Sequence, residues 1–436
     1  MRRNFIDLHA LLNSFRWRTR FTLWLAALIA GLVVVGFAKL AELALGLFFL
    51  FSAGRPWLPF ILTPVIGMIC VWLTHRYFPG AQGSGIPQVI AARRIAAGGN
   101  DVKGLLSLRI AVGKIFVGAL ALLGGFSSGR EGPSVQVAAS ILYTAHRWLP
   151  HTRALRSSDL ILAGGAAGIA AAFNTPLAGI VFAIEELGKR LETRTSGVLI
   201  STIILSGMVA IGLLGNYNYF GKLMVLAQDR SAIFPVIAGG IICGLLGGLF
   251  SYLMLLPHFK SNFSLWVWRR NHPVAFAGIC GLLVAVVGWL GGGLSFGSGY
   301  TVTEMAAKGE VVLPWHTPIT RYVATILSYY SGIPGGIFAP SLAVGGALGA
   351  TMAELLGVTE NGAIMAIFMA GFLAAVTQSP ITAAIIVMEM IGGHEMVISL
   401  MGVSFLAKVV SARVSPELYQ HLALGWLPQS NRSNNG

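Results

Sequence analysis

Long apolar runs separated by short polar breaks make up most of this chain. One run extends from Phe21 to Ala53, another from Ile110 to Phe126 and another from Ala163 to Ile184, and others recur as far as Leu400. They number about a dozen, each on the scale of the roughly 20 residues a spanning helix needs. Several are interrupted by Gly or Pro, which points to helices that break within the membrane. The pattern predicts an all-α polytopic membrane protein.

The pattern is also written twice. Gly83-Ser84-Gly85-Ile86 returns 214 residues later as Gly297-Ser298-Gly299-Tyr300. Gly129 and Pro133 return 207 residues later as Gly336 and Pro340, and Lys114 returns at the same offset as Arg321. Pro176 and Glu185 return 204 residues later as Pro380 and Glu389. Four matches in one order indicate a duplication, with a drifting offset that small loop deletions would give. Two membrane repeats are expected, 21–228 and 229–424, dividing near Asp229 to Phe234. They lie between an N-terminal segment, 1–20, and a polar tail, 425–436. Transporters are often built from two such halves in opposite orientation, although sequence gives the copies and not their sense.

Composition supports the membrane reading. Hydrophobic residues make up 55% of the 436 and charged residues only 11%, against about 25% in soluble proteins. The net charge of +14 is scattered over short loops, so no nucleic-acid partner is expected. Arg2, Arg3, Arg16, Arg18 and Arg20 precede the first long run and place the N-terminus in the cytoplasm. That run is too long for a cleaved signal. Asn4 to Phe15 reads equally as an interfacial amphipathic helix or a frayed terminus. Cys70, Cys243 and Cys280 have no ligand spacing and read as small hydrophobes, with no metal or other cofactor.

Chemistry gathers at three Gly/Pro-rich interruptions: Gly83 to Pro87, Gly129-Arg130-Glu131-Gly132-Pro133, and Gly335-Gly336-Ile337-Phe338-Ala339-Pro340. Each reads as the start of a helix in mid-membrane, or else as a hinge or tight packing point. Helix N-termini expose unpaired N–H groups and positive dipole charge. Several together make an anion site that can bind and release. Glu131 is the outlier. A carboxylate at membrane depth is costly and needs a role, and its repeat mate is Phe338, so the fold does not require an acid there. An ion pair between Glu131 and adjacent Arg130 is disfavoured, because neighbouring helix residues do not face each other.

Together these motifs resemble the signatures of the CLC family of chloride channels and chloride/proton exchangers, of the prokaryotic type. The likeness runs from about Phe21 to about Leu424. It implies a CLC-type fold: two inverted repeats of tilted and broken helices in a homodimer, with one ion pathway per subunit and dimer contacts around 176–212 and 380–412. It implies chloride binding by the Ser84 hydroxyl, the N–H groups of Ile337 and Phe338, and the Tyr419 phenol. Ser84 reads otherwise as a helix cap, and Tyr419 as an interfacial anchor. Ser84 with Tyr419 favours chloride over nitrate or fluoride. Glu131 would be the external gate and proton acceptor. Ionised, it is a small anion and blocks the path; neutral, it no longer competes and can swing aside. Glu186, 55 residues further on, would be the internal proton relay. Before Lys189, Arg190 and Arg194, it reads also as part of a helix end at the cytoplasmic interface. Lys114 and Arg321 would either add positive potential to the path or pair with buried acids. Glu389 suits a helix-end or interface role.

The expected function is chloride/proton antiport in a bacterial inner membrane, with both termini cytoplasmic. The alternative is a passive, gated chloride channel on the same fold. An intramembrane hydrolase using Glu131 as base lacks a nearby His, an H-E-x-x-H motif or a paired cysteine. The short tail leaves no room for the nucleotide-sensing domains of many eukaryotic members, so no nucleotide regulation is expected.

Overall fold

The computed structural model describes residues 14–148, 156–188, 196–215, 220, 233–358 and 361–428. The division expected near 229, the basic segment 189–194, the segment before residue 14 and the tail beyond 428 lie outside these residues. The first half contains α1 (Ser14–Ser52), α2 (Pro59–Tyr77), α3 (Ile86–Ala97), α4 (Leu108–Leu123), α5 (Glu131–Ala145), α6 (Ser157–Phe173), α7 (Pro176–Phe182) and α8 (Ser196–Leu214). The second contains α9 (Ile233–Phe259), α10 (Ser264–Asn271), α11 (Pro273–Leu290), α12 (Tyr300–Ala307), α13 (Thr317–Ser331), α14 (Phe338–Leu355), α15 (Gly362–Thr377), α16 (Pro380–Ile391), α17 (Val397–Ser411) and α18 (Leu418–Leu424).

Among the described residues, five helices are long and apolar enough to cross a bilayer, α2, α9 and α11 among them. α1 has 39 residues, roughly 58 Å at 1.5 Å per residue, so it must tilt to match a hydrocarbon layer of about 30 Å. Some of the other apolar runs are broken. The run from Ala163 to Ile184 is one stretch in sequence and two helices in space. α6 ends at Asn174 (φ 59°) and α7 restarts at Pro176. The second half repeats the device: α15 ends at Gln378 (φ 58°) and α16 restarts at Pro380. Among the described residues, Asn174 and Gln378 alone combine a side chain larger than hydrogen with positive φ. A left-handed residue stops the helix and the proline sets the next one.

A local two-fold relates the halves. Gly129 and its repeat mate Gly336 form an antiparallel bridge, each N–H donating to the other's carbonyl at 2.7 Å. The same symmetry joins α7 and α16. Glu389 accepts from the N–H groups of Leu177 and Ala178 at the start of α7. Glu185 accepts from those of Ile381 and Thr382 at the start of α16. The halves therefore run in opposite senses, as inverted repeats do.

Glycines bring the helix backbones together. A Cβ on Gly168 would lie 2.5 Å from the Ser134 carbonyl, clamping α6 on α5. A Cβ on Gly345 would lie 2.6 Å from the Phe368 carbonyl, clamping α14 on α15. Small residues at a contact are what let membrane helices pack closely.

Candidate functional site

The three interrupted motifs meet at the centre. Gly83 N–H donates to the Ile333 carbonyl (3.2 Å), and Gly335 N–H donates to the Gly83 carbonyl (3.1 Å). The Gly129–Gly336 bridge joins the other two. Glycine is required at the contacts: a Cβ on Gly132 would strike the Ser84 hydroxyl, and one on Gly336 would lie 2.9 Å from Gly132 N. Gly85, at φ 102°, sits in a conformation that side chains disfavour. The loops thus set the starts of α3, α5 and α14 around one point. The first N–H groups of a helix have no intrahelical acceptor.

Glu131 is the first residue of α5 and is fully buried. Its Oε1 accepts from the Tyr300 hydroxyl at 2.9 Å. Its carboxylate also lies by its own N–H and that of Ala339, in the first turn of α14. A Cβ on Gly129 would collide with Oε2, so the carboxylate is folded back over the loop. Arg130 turns the other way, donating to Glu42 (2.9 Å) and the Ala38 carbonyl (2.7 Å) on α1.

Ser84 and Tyr419 face each other near the same centre. Both hydroxyls are buried, close together, and without a well-aligned hydrogen bond among the described residues. A buried hydroxyl left unpaired is costly, so two aimed at one place fit a ligand there. Tyr419 stacks on Phe338, with centroids 5.9 Å apart and planes at 11°. Phe338 also contacts Phe173 and Phe182 at 6.0 and 6.1 Å. The residue that replaces glutamate in the second half therefore sends its ring into an aromatic cluster. Its N–H and that of Ile337 remain at the start of α14.

Glu185 and Glu186 lie in a π-turn, Ala183–Gly188, which ends α7. Such widened turns recur at functional positions. Here it sends neighbouring carboxylates to different partners. Glu185 caps α16, while buried Glu186 accepts from the Ser379 hydroxyl. Gln420 Nε2 donates to the Glu186 carbonyl at 2.9 Å and lies 3.4 Å from Oε1. Arg94 in turn donates to Gln420 Oε1 at 2.6 Å. Gln420 follows Tyr419 directly, so α18 touches both the hydroxyl pair and the second buried acid.

Lys114 and Arg321 share a repeat position but not a role. The Lys114 ammonium donates to the carbonyls of Ala81 (2.8 Å) and Gly83 (2.6 Å), and lies 3.4 Å from that of Gln82. It thereby braces the loop that presents Ser84. Arg321 is fully buried against Gly299, and its Nη1 and Nη2 have no hydrogen-bond partner among the described residues. Neither pairs with an acid among the described residues.

Two cavities approach the centre from different sides. One, of about 560 Å³, is lined by Glu42, Phe49, Arg130, Ser298, Tyr300 and Glu304, among others. The other, of about 280 Å³, reaches Ser84 past Gln82, His258, Arg269, Tyr329 and Trp426. Sequence reasoning missed Tyr300, Ser379 and Gln420. Tyr300 had one signal: it is the repeat mate of Ile86, so the two Gly-Ser-Gly copies lead into different side chains. Gln420 and Ser379 adjoin Tyr419 and Pro380, and nothing in the sequence says that they reach Glu186.

Comparison with known proteins gives the family and the fold. The sequence pattern described as voltage gated chloride channel matches residues 66–412. The H(+)/Cl(-) exchange transporter ClcA of Salmonella arizonae is 30% identical over 392 residues, covering 82% of this chain and 76% of the relative. ClcA of Salmonella paratyphi B is 30% identical over 389 residues with the same coverage. The crystal structure of a slow cyanobacterial Cl-/H+ antiporter superposes with a TM-score of 0.81 at 24% identity, covering 95% of this chain and 99% of the other. That of a CLC-type fluoride/proton antiporter has a TM-score of 0.76 at 22% identity, covering 96% and 99%. At such identities the structural likeness concerns the fold.

Proposed function

The chain belongs to the voltage gated chloride channel family, and from that premise we propose that it exchanges chloride for protons across a membrane. The observation that carries this reading is the pair of buried carboxylates, Glu131 and Glu186, near the hydroxyl pair. Glu131 lies beside the start of α14, where an anion would sit. Glu186 lies behind α18, in contact with the residue next to Tyr419. Relatives at 30% identity are named as H(+)/Cl(-) exchange transporters, in keeping with two titratable positions rather than one.

In this mechanism chloride binds between the Ser84 and Tyr419 hydroxyls and the N–H groups of Ile337 and Phe338. Partial charges of about half a unit per helix end attract it without trapping it. Glu131 is the gate. Ionised, its carboxylate stands in the path as a competing anion; protonated, it leaves the path and chloride passes. Glu186 takes protons from the other side and passes them towards Glu131. Lys114 acts at one remove, by fixing the loop that carries Ser84, and Arg321 adds positive potential near the second Gly-Ser-Gly turn. The Ser84 and Tyr419 pair suits chloride as the transported anion. The cavity beside Tyr300 is the external mouth and the one beside Ser84 the cytoplasmic mouth. We read both termini as cytoplasmic, in keeping with the arginines that precede Phe21, and the membrane as a bacterial inner membrane.

Proteoliposomes carrying Glu131→Gln or Glu186→Gln test the assignment. Glu131→Gln is expected to pass chloride with no coupled proton movement. Glu186→Gln is expected to lose proton movement with chloride flux retained. Proton flux at the unmodified rate in either variant would remove that residue from the mechanism.

A further inference from the structure

The gate carboxylate is held by a side chain from the opposite half of the molecule. Tyr300 opens α12, straight after Gly299 at φ 89°. Its hydroxyl donates to Glu131 Oε1 at 2.9 Å across 169 residues of sequence. Its position is fixed from behind. A Cβ on Gly299 would strike the buried Arg321 guanidinium and the Ala343 side chain, so the turn has little room to move. The ring rests on Phe220 at 5.9 Å. Tyr300 lines the larger cavity, while Glu131 behind it does not. The phenol therefore stands between that cavity and the carboxylate.

We infer that Tyr300 is a latch that holds ionised Glu131 in its blocking position and limits how often the gate opens. The inference rests on the reading of Glu131 as the gate, and it names the positioning residue that sets the gate's speed. A hydroxyl donating to an ionised carboxylate makes a charge-assisted bond, about twice as strong as one to a neutral partner. The bond is thus strongest in the closed, ionised state and weakest once a proton has arrived, and opening must break it. Arg130, the nearest cation in sequence, donates to Glu42 and Ala38, and among the described residues the Tyr300 phenol is the side-chain donor at Oε1. The device exists in one half only, since the corresponding position in the first half is Ile86 and the position matching Glu131 is Phe338.

The test is Tyr300→Phe, which keeps the ring and its contact with Phe220. In proteoliposomes its chloride turnover is expected to rise roughly tenfold, at an unchanged ratio of chloride to protons. Calorimetry in detergent is expected to give severalfold tighter chloride binding, because the carboxylate competes less well for the path. Neither change is expected when Tyr300→Phe is added to Glu131→Gln, where no ionised carboxylate remains to be latched. A purely structural role would alter both backgrounds alike, and that result overturns the latch. So does turnover and affinity within twofold of the unmodified protein. The gate reading fails separately, if Glu131→Gln alone keeps its proton coupling.

Discussion

Ser84 and Tyr419 show how far single residues could be read. Ser84 lay in a Gly/Pro-rich interruption and Tyr419 came only from the family resemblance, and each had a plain alternative as a cap or an anchor. Neither alternative describes what the side chains do. Ser84 Oγ caps no helix among the described residues, and the Tyr419 hydroxyl is buried rather than at an interface. On the proposed reading the two hydroxyls hold one anion, so removing either should weaken its binding. Tyr419→Phe is expected to raise the chloride dissociation constant roughly tenfold by calorimetry, with the fold intact. Unchanged affinity would remove the phenol from the site. The roles of Tyr300, Ser379 and Gln420 were not legible for a physical reason. Their hydrogen bonds span 169, 193 and 234 residues, and only the packed helices bring such partners together.

Helices were legible where Gly and Pro punctuate the chain, and less so where apolar residues run on. Nothing in the run from Ala163 to Ile184 marks Asn174 as the break except the proline two residues later. The π-turn was hidden as well, because adjacent glutamates at a helix end read alike until their partners are seen. Glu185 and Glu389 turn out to be reciprocal caps, one on α16 and one on α7. A carboxylate at a helix N-terminus stabilises it by about 1 kcal/mol. Glu185→Gln and Glu389→Gln are each expected to lower stability by about that amount, read as a modest fall in melting temperature in detergent. The pseudo-symmetry predicts losses of similar size. A loss in one variant with none in the other would contradict it.

At the scale of the whole molecule, the repeat was the most legible feature, and its handedness the least. Matched motifs gave two copies; the Gly129–Gly336 bridge and the exchanged caps gave their opposite sense. Inversion matters to function, because it brings the starts of α5 and α14 to one centre from opposite halves. The outer faces of α8 and α17 carry exposed Met208, Leu213, Ile398 and Val409, around the segments expected to join two copies. Light scattering in detergent should accordingly give twice the protomer mass of 46.1 kDa; a single protomer mass would refute the pairing. The central claim is that chloride and protons share one gate. The most direct measurement is external pH while a chloride gradient is imposed on proteoliposomes of the unmodified protein. Antiport predicts protons driven uphill by the gradient, and chloride flux with no proton movement would contradict it.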